Sequence, residues 1–244
     1  MSEKSLCSTP AVKTIARQLM HTFVWNIFQR RIAQAPGRDV GTNGDAGKER
    51  QSDFYDARYL QTEDYCLHYT NSRYYFLWCV ILDRMRPTEV RALLDIGCGP
   101  GQFASLLCDR GLRRYVGIDF SDVCIRMARL VCTSAEFVCL DVFSSDLFDT
   151  YDYDVVVATE FLEHIEGDLE ILDRIRPGTR VYGSVPNFPD PSHVRYFNSV
   201  DDVRARYSSS FVSFRVDELL FGNQGMSFFL FEGVRCPKLA RHPS

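Results

Sequence analysis

Leu93-Leu94-Asp95-Ile96-Gly97-Cys98-Gly99-Pro100-Gly101 is the stretch that decides how this chain reads. An apolar run of strand character ends in a carboxylate and three alternating glycines, and the helix-like QFASLLCDRG (102–111) follows at once. Glycines at a strand-to-helix crossing let a ligand touch bare backbone, close to the free amides of the helix N-terminus. The next apolar run, YVGIDF (115–120), ends at Asp119, 22 residues after Gly97. A carboxylate there can accept both hydroxyls of a ribose. A nucleoside-bearing cofactor follows from the pairing. A nicotinamide or flavin site would place a third glycine where Gln102 stands, so the pattern points away from a dinucleotide.

Outward from this motif the rhythm continues. EFVCLDVF (136–143), DVVVATE (154–160) and RVYGSVPN (180–187) are apolar and β-rich, with helical stretches between them. Such alternation predicts an α/β domain with a mainly parallel sheet. FVSFRV (211–216) and SFFLFEGVRC (227–236) flank the turn-prone GNQG (222–225) and predict a closing antiparallel hairpin at the sheet edge. The stretch from Phe54 to Trp78 is unusually aromatic and either caps a core or walls an organic ligand.

The composition bounds what such a domain can do. A chain of 244 residues with 45% hydrophobic residues fills one sizeable core. It has no apolar run of 18 residues, and MSEKSLCSTP is not a basic-then-apolar leader, so a cytoplasmic protein without a transmembrane segment is expected. A net charge of −4 argues against a grip on nucleic acid by bulk electrostatics. Nine cysteines without CxxC or zinc spacing read as reduced thiols, with Cys98 and Cys139 packed as small hydrophobes in apolar runs.

Residues 1–50 stand apart from the domain expected over 51–244, carrying eight basic side chains against four acidic ones. Val12, Ile15, Leu19, Phe23 and Ile27 recur at helical spacing, predicting an amphipathic helix from about Ala11 to Ala33. It can pack on the domain, form a homodimer with a second copy, lie on a membrane surface or serve as a targeting segment. APGRDVGTNGDAGKER (35–50) then reads as a mobile linker.

The fourth strand runs into Thr159-Glu160-Phe161-Leu162-Glu163-His164. A helix beginning near Phe161 would let Glu160, Glu163 and His164 converge on one point. Two carboxylates brought together repel unless a cation or proton lies between them. Carboxylate oxygens suit Mg²⁺ or Mn²⁺, and an imidazole admits Mn²⁺, Fe²⁺ or Zn²⁺.

LLDIGCGPG, Asp119 and Leu140-Asp141-Val142 together resemble the class I S-adenosylmethionine-dependent methyltransferases, over roughly residues 54 to 236. The resemblance implies a Rossmann-like, mainly parallel seven-stranded sheet with helices on both faces and a C-terminal antiparallel hairpin. It places Gly97 and Gly99 at the methionine part of S-adenosylmethionine, Asp119 at the ribose, and Asp141 with Val142 at the adenine, with Asp95 and Phe120 as further cofactor-binding candidates. Asp141 can instead cap the helix that follows. Glu160 and Phe161 border the same pocket. Asn71-Ser72-Arg73 sits where the ubiquinone-biosynthesis O-methyltransferases carry an arginine, which makes Arg73 the candidate for the cofactor's carboxylate, although a surface arginine reads almost the same.

E-x-x-E-H is similar both to those enzymes and to the small-RNA terminal 2′-O-methyltransferases, which bind a metal through it. The RNA enzymes add a histidine beyond a Pro-Asn step; here Val185-Pro186-Asn187 is followed by Ser192-His193. The implied metal ligands are Glu160, Glu163, His164 and His193. Displacement at a sulfonium methyl needs a deprotonated oxygen, and a divalent cation lowers the proton affinity of an oxygen it coordinates. Without a metal, His164 or His193 could serve as general base. Glu163, His164 and His193 are therefore the catalytic candidates. The expected activity is metal-assisted O-methylation of a small hydroxylated metabolite such as a sugar or phenol, held between residues 54–78 and FPDPSHVRYF (188–197). The alternatives are methylation of an RNA end or another macromolecule, and a non-catalytic cofactor-binding scaffold.

Overall fold

Each apolar run becomes a strand, and alternation along it assigns a face. In the computed structural model, which describes residues 47–221 and 225–237, helices α1 (Ser52–Gln61) and α2 (Tyr75–Met85) precede β1 (Leu93–Ile96). Then follow α3 (Gln102–Asp109), β2 (Tyr115–Asp119), α4 (Asp122–Val131), β3 (Glu136–Cys139), α5 (Leu147–Thr150) and β4 (Val155–Thr159). The chain closes with α6 (Asp168–Arg174), β5 (Arg180–Pro186), α7 (Val200–Tyr207), β6 (Phe211–Phe221) and β7 (Met226–Arg235). The amphipathic helix expected near 11–33, the linker up to residue 46 and the homodimer through that helix lie outside the described residues.

The sheet has seven strands in the order β3-β2-β1-β4-β5-β7-β6. The first five are mutually parallel, and β7 runs antiparallel between β5 and β6. On one face Leu94, Ile96, Val116, Ile118, Val156 and Val181 pack with Phe148, Ile171, Leu172 and Tyr207 from α5, α6 and α7. On the other, Leu93, Tyr115, Val155, Val157 and Tyr182 pack with α2, α3 and α4 through Leu77, Ile81, Phe103, Leu106 and Ile125. Strands buried on both faces read as near-continuous apolar runs, which is why the parallel sheet is visible in the sequence.

Chain order reverses at β1, flanked by β2 on one side and β4 on the other. In an open α/β sheet that reversal leaves a crevice beyond the carboxyl ends of the strands. Gly97, Asp119 and Glu160 follow or end those three strands.

The eight cysteines among the described residues are free thiols. Cys98 is buried as expected, but Cys139 is exposed. It ends the edge strand β3, where Phe137 alone is buried. No helix among the described residues is long and apolar enough to cross a membrane.

Candidate active site

A cleft of about 390 Å³ opens at the crevice. After β1 the chain turns through three glycines with φ of 71°, 57° and 82° at Gly97, Gly99 and Gly101. The missing side chains serve different ends. At Gly101 a Cβ would lie 2.9 Å from Ala128 Cα, so the glycine lets α3 start against α4. At Gly97 it would meet the Phe161 ring at 2.6 Å, whereas at Gly99 the nearest atom is the Tyr59 hydroxyl at 3.9 Å. Gly99 faces open cleft. The Gln102 side-chain Nε2 donates to the Asp64 and Leu67 carbonyls, pinning the aromatic segment to this loop.

Asp119 accepts the amides of Gly99 at 3.3 Å and Ser121 at 3.0 Å. Burial pushes its carboxyl up to about 6 against the pull of those amides. Asp95 accepts the Tyr115 hydroxyl at 2.5 Å, and burial pushes it up to about 7. Phe120, Asp141 and Val142 line the same cleft, and the Asp141 carboxylate accepts the Phe143 amide at 2.9 Å in a tight turn. Arg73 lines it too, with its guanidinium on Asp64.

The E-x-x-E-H segment departs from the expected helix. Glu160 takes a left-handed conformation at φ 51°, and Leu162–His164 form a single 3-10 turn. The Glu160 amide donates to Ser184 Oγ at 3.1 Å, and that hydroxyl donates back to Glu160 Oε1 at 2.7 Å. Burial pushes Glu160 up to about 8. This kink turns Glu160 toward β5. Glu163, His164 and His193 instead gather, with one ligand-type atom of each within 4.8 Å of the others. Of the four expected ligands the structure brings three together and holds Glu160 apart on Ser184.

Glu163 is fully buried, and among the described residues neither of its carboxylate oxygens has a hydrogen-bond partner, His164 Nε2 lying 3.7 Å from Oε1. A buried carboxylate left so is costly, and burial followed by the Glu160 charge pushes its pKa well above the ordinary range. His164 Nδ1 lies 2.9 Å from the Ser192 carbonyl and His193 Nδ1 3.1 Å from the Phe188 carbonyl. A carbonyl only accepts, so each Nδ1 carries the proton and each Nε2 presents a lone pair. Burial lowers His164 to about 4 and His193 below its usual value, which keeps both imidazoles neutral.

Two arginines that sequence reasoning missed build this corner. Arg195 donates to the carbonyls of Leu162 at 2.6 Å and Ile165 at 2.5 Å, fixing the turn that carries Glu163 and His164. The Val194 amide donates to the Glu163 carbonyl at 2.8 Å. Arg58, on α1, grips Asp190 through both carboxylate oxygens, at 2.9 and 3.2 Å. Against the upward push of burial, those bonds and the Ser192 hydroxyl hold Asp190 well below the usual carboxylate range. Tyr55, on the same helix, meets the His164 ring edge-to-face and the Phe120 ring at a tilt, with its buried hydroxyl unpartnered among the described residues. The position of Arg195, two residues after His193, was the one signal available; Arg58 is 132 residues from Asp190.

With this geometry established, comparison with known proteins places it. Residues 70–218 match the methyltransferase domain family. The chain belongs to that family. Its fold is that of the class I S-adenosylmethionine-dependent methyltransferases. The trans-aconitate 2-methyltransferase of Rhizobium rhizogenes is 27% identical over 120 residues, 47% of this chain and 46% of that protein. The ubiquinone biosynthesis O-methyltransferase of Neisseria meningitidis serogroup C is 27% identical over 131 residues, 50% of this chain and 53% of that protein. The chain therefore spans about half the length of the curated relatives it matches. The N-methyltransferase NodS of Bradyrhizobium japonicum, solved with S-adenosyl-L-homocysteine, shares the fold at a TM-score of 0.59 and 16% identity, over 76% of this chain and 99% of that one.

Proposed function

We propose that this methyltransferase moves the methyl group of S-adenosylmethionine to a hydroxyl oxygen of a small metabolite, assisted by a divalent cation. The observation that carries the reading is the orphaned, fully buried Glu163 carboxylate beside two imidazoles whose Nε2 lone pairs are free of the carbonyls. One carboxylate and two neutral imidazoles fit a divalent cation, and this donor set suits Mn²⁺, Fe²⁺ or Zn²⁺ better than Mg²⁺. Ser192 and Phe188 supply the carbonyls that fix the ring orientations, as the partners of metal-binding histidines do. When bound, the cation lowers the proton affinity of a coordinated acceptor oxygen.

The cofactor fits the other end of the cleft. Asp119 keeps lone pairs for ribose hydroxyls beyond the two amides it accepts, and Gly99 offers bare backbone. Asp95 and Asp119 are buried carboxyls and Glu160 a half-buried one, all three held above their ordinary values, and a cationic sulfonium ligand offsets that accumulation of acid. Arg73 borders the cleft where the cofactor's amino-acid end belongs. Phe161, seated on Gly97, and Tyr55, on Phe120, exclude water between cofactor and acceptor. In the transfer the S–CH₃ bond breaks as the O–CH₃ bond forms, so the residues act chiefly by aligning oxygen, methyl and sulfur. In the absence of a cation the same Nε2 lone pairs are placed to take the acceptor's proton.

A small acceptor is favoured over a nucleic acid because Arg58 and Arg73, two basic groups of the cleft, are already engaged by Asp190 and Asp64. The test is methyl transfer from methyl-labelled S-adenosylmethionine to a panel of phenols, catechols and sugars and to RNA, with chelator-treated protein and after Mn²⁺ is returned. Label in a small hydroxylated acceptor only with Mn²⁺ supports the reading. Label in RNA alone, or turnover indifferent to chelator, overturns it.

A further inference from the structure

Helix α1 lies across the cleft with none of its residues fully buried, and Tyr59 and Leu60 supply its apolar packing against the cluster of Cys66, Val123 and Met127. Polar contacts supplement it. Ser121 Oγ donates to Asp56, Arg50 Nε donates to the Pro191 carbonyl at 3.1 Å, and the Glu166 amide donates to Glu49 at 2.9 Å. The strongest grip is that of Arg58, whose guanidinium takes both oxygens of Asp190 and also reaches Ser192 Oγ at 3.3 Å.

The gripped turn is the one that orients the histidines. Asp190 accepts the Ser192 amide at 3.0 Å and hydroxyl at 2.6 Å, while its carbonyl accepts the His193 amide at 2.9 Å. The Ser192 carbonyl of this turn takes His164 Nδ1, and the carbonyl of Phe188, two residues before the turn, takes His193 Nδ1. Tyr55, one helical turn before Arg58, closes over the His164 ring at a centroid distance of 5.7 Å.

We propose that Arg58 is a positioning residue, which by clamping the turn at Asp190–Ser192 sets the two carbonyls that orient His164 and His193, so that seating α1 and assembling the imidazole pair are one event. The inference rests on reading Glu163, His164 and His193 as a cation site. Arginine is suited to the task because its planar fork meets a carboxylate at two points and fixes a direction, which a lysine ammonium does not. Binding of a cation at the imidazoles and closure of α1 then favour each other, because both need the same conformation of the turn.

The test titrates Mn²⁺ calorimetrically into the full-length protein without methyl donor or acceptor, and follows Co²⁺ by its ligand-field absorption. Thermal melts check that each variant is folded. Arg58→Ala is expected to weaken Mn²⁺ by about 10-fold or more, the range for loss of an outer partner of a ligating histidine, and to alter the Co²⁺ spectrum. Arg58→Lys is expected to rescue only part of the affinity. Asp190→Asn, which keeps the turn's shape, decides the matter should Arg58→Ala fail to fold. Wild-type affinity in Arg58→Ala or, if that fails to fold, in Asp190→Asn, with a wild-type protein that binds Mn²⁺, overturns the inference alone. A wild-type protein that binds neither ion overturns the cation-site reading and the inference with it.

Discussion

Two glycines two residues apart should fail in opposite ways when each gains one methyl group. Gly101 and Gly99 both hold left-handed backbone, at φ 82° and 57°, where an L side chain costs about 1–2 kcal/mol. At Gly101 the new Cβ would also sit 2.9 Å from the Cα, 3.1 Å from the Cβ and 3.2 Å from the carbonyl oxygen of Ala128. Two of those are main-chain atoms in α4 and cannot rotate away, so overpacking adds about 1–3 kcal/mol. Gly101→Ala should therefore lose about 2–5 kcal/mol of stability, a fall in Tm of roughly 4–20 °C for a domain of this size. At Gly99 nothing but the Tyr59 hydroxyl, at 3.9 Å, is near, so Gly99→Ala should lose only about 1–2 kcal/mol. Its methyl instead intrudes where the cofactor's backbone contact is proposed, and affinity for S-adenosylhomocysteine should drop by about 10-fold or more, the equivalent of one overpacked methyl. Circular dichroism melts and calorimetric titration read the two effects separately. Gly101→Ala no less stable than Gly99→Ala, or Gly99→Ala binding like the wild type, would refute the division of labour in this loop.

Affinity for S-adenosylhomocysteine should rise from pH 5 to pH 7 and then level, because burial holds the free Asp119 carboxyl at about 6 while ribose hydroxyls favour its ionised form, so binding releases a proton below that pH. Asp119→Asn should flatten the calorimetric profile and weaken binding by about 1.5–3 kcal/mol; a profile falling with pH would count against Asp119 as the ribose partner. Asp168 is buried, and accepts Arg206 at 2.7 Å and the Tyr207 hydroxyl at 2.8 Å, with Arg195 at 3.3 Å. Since Arg206 is partly exposed, Asp168→Ala should destabilise by about 3 kcal/mol, the lower end for breaking a buried pair, as read in denaturant. Glu163→Gln should abolish Mn²⁺ binding while S-adenosylhomocysteine affinity changes little, and equal Mn²⁺ affinity in the two proteins would remove Glu163 from the site.

The fold was legible because its strands are buried on both faces, so the runs 92–98, 154–160 and 180–187 stand out as continuous apolar segments between helices. The glycine loop and Asp119 were legible for a related reason: backbone that must bend sharply at a strand end restricts the residue type locally. The E-x-x-E-H geometry was not. Helical spacing brought Glu160 to the histidine, whereas Ser184, on the neighbouring strand and 24 residues away, captures Glu160 and forces the left-handed kink. Tertiary hydrogen bonds of that kind leave no periodic trace. Arg58 and Asp190 illustrate the same limit, since a charged pair joined only by folding looks like two surface residues in the chain. Cys139 failed for a simpler reason, because an edge strand buries one side and its alternation is easily read as continuous.

The most direct test of the account is a crystal of the protein grown with S-adenosylhomocysteine and Mn²⁺, with diffraction collected at the manganese absorption edge. The account predicts ribose hydroxyls on Asp119, the homocysteine part beside Gly99, and one anomalous peak bounded by Glu163 and the Nε2 atoms of His164 and His193. A nucleoside bound away from Asp119, or an anomalous map empty at that cluster, would contradict it.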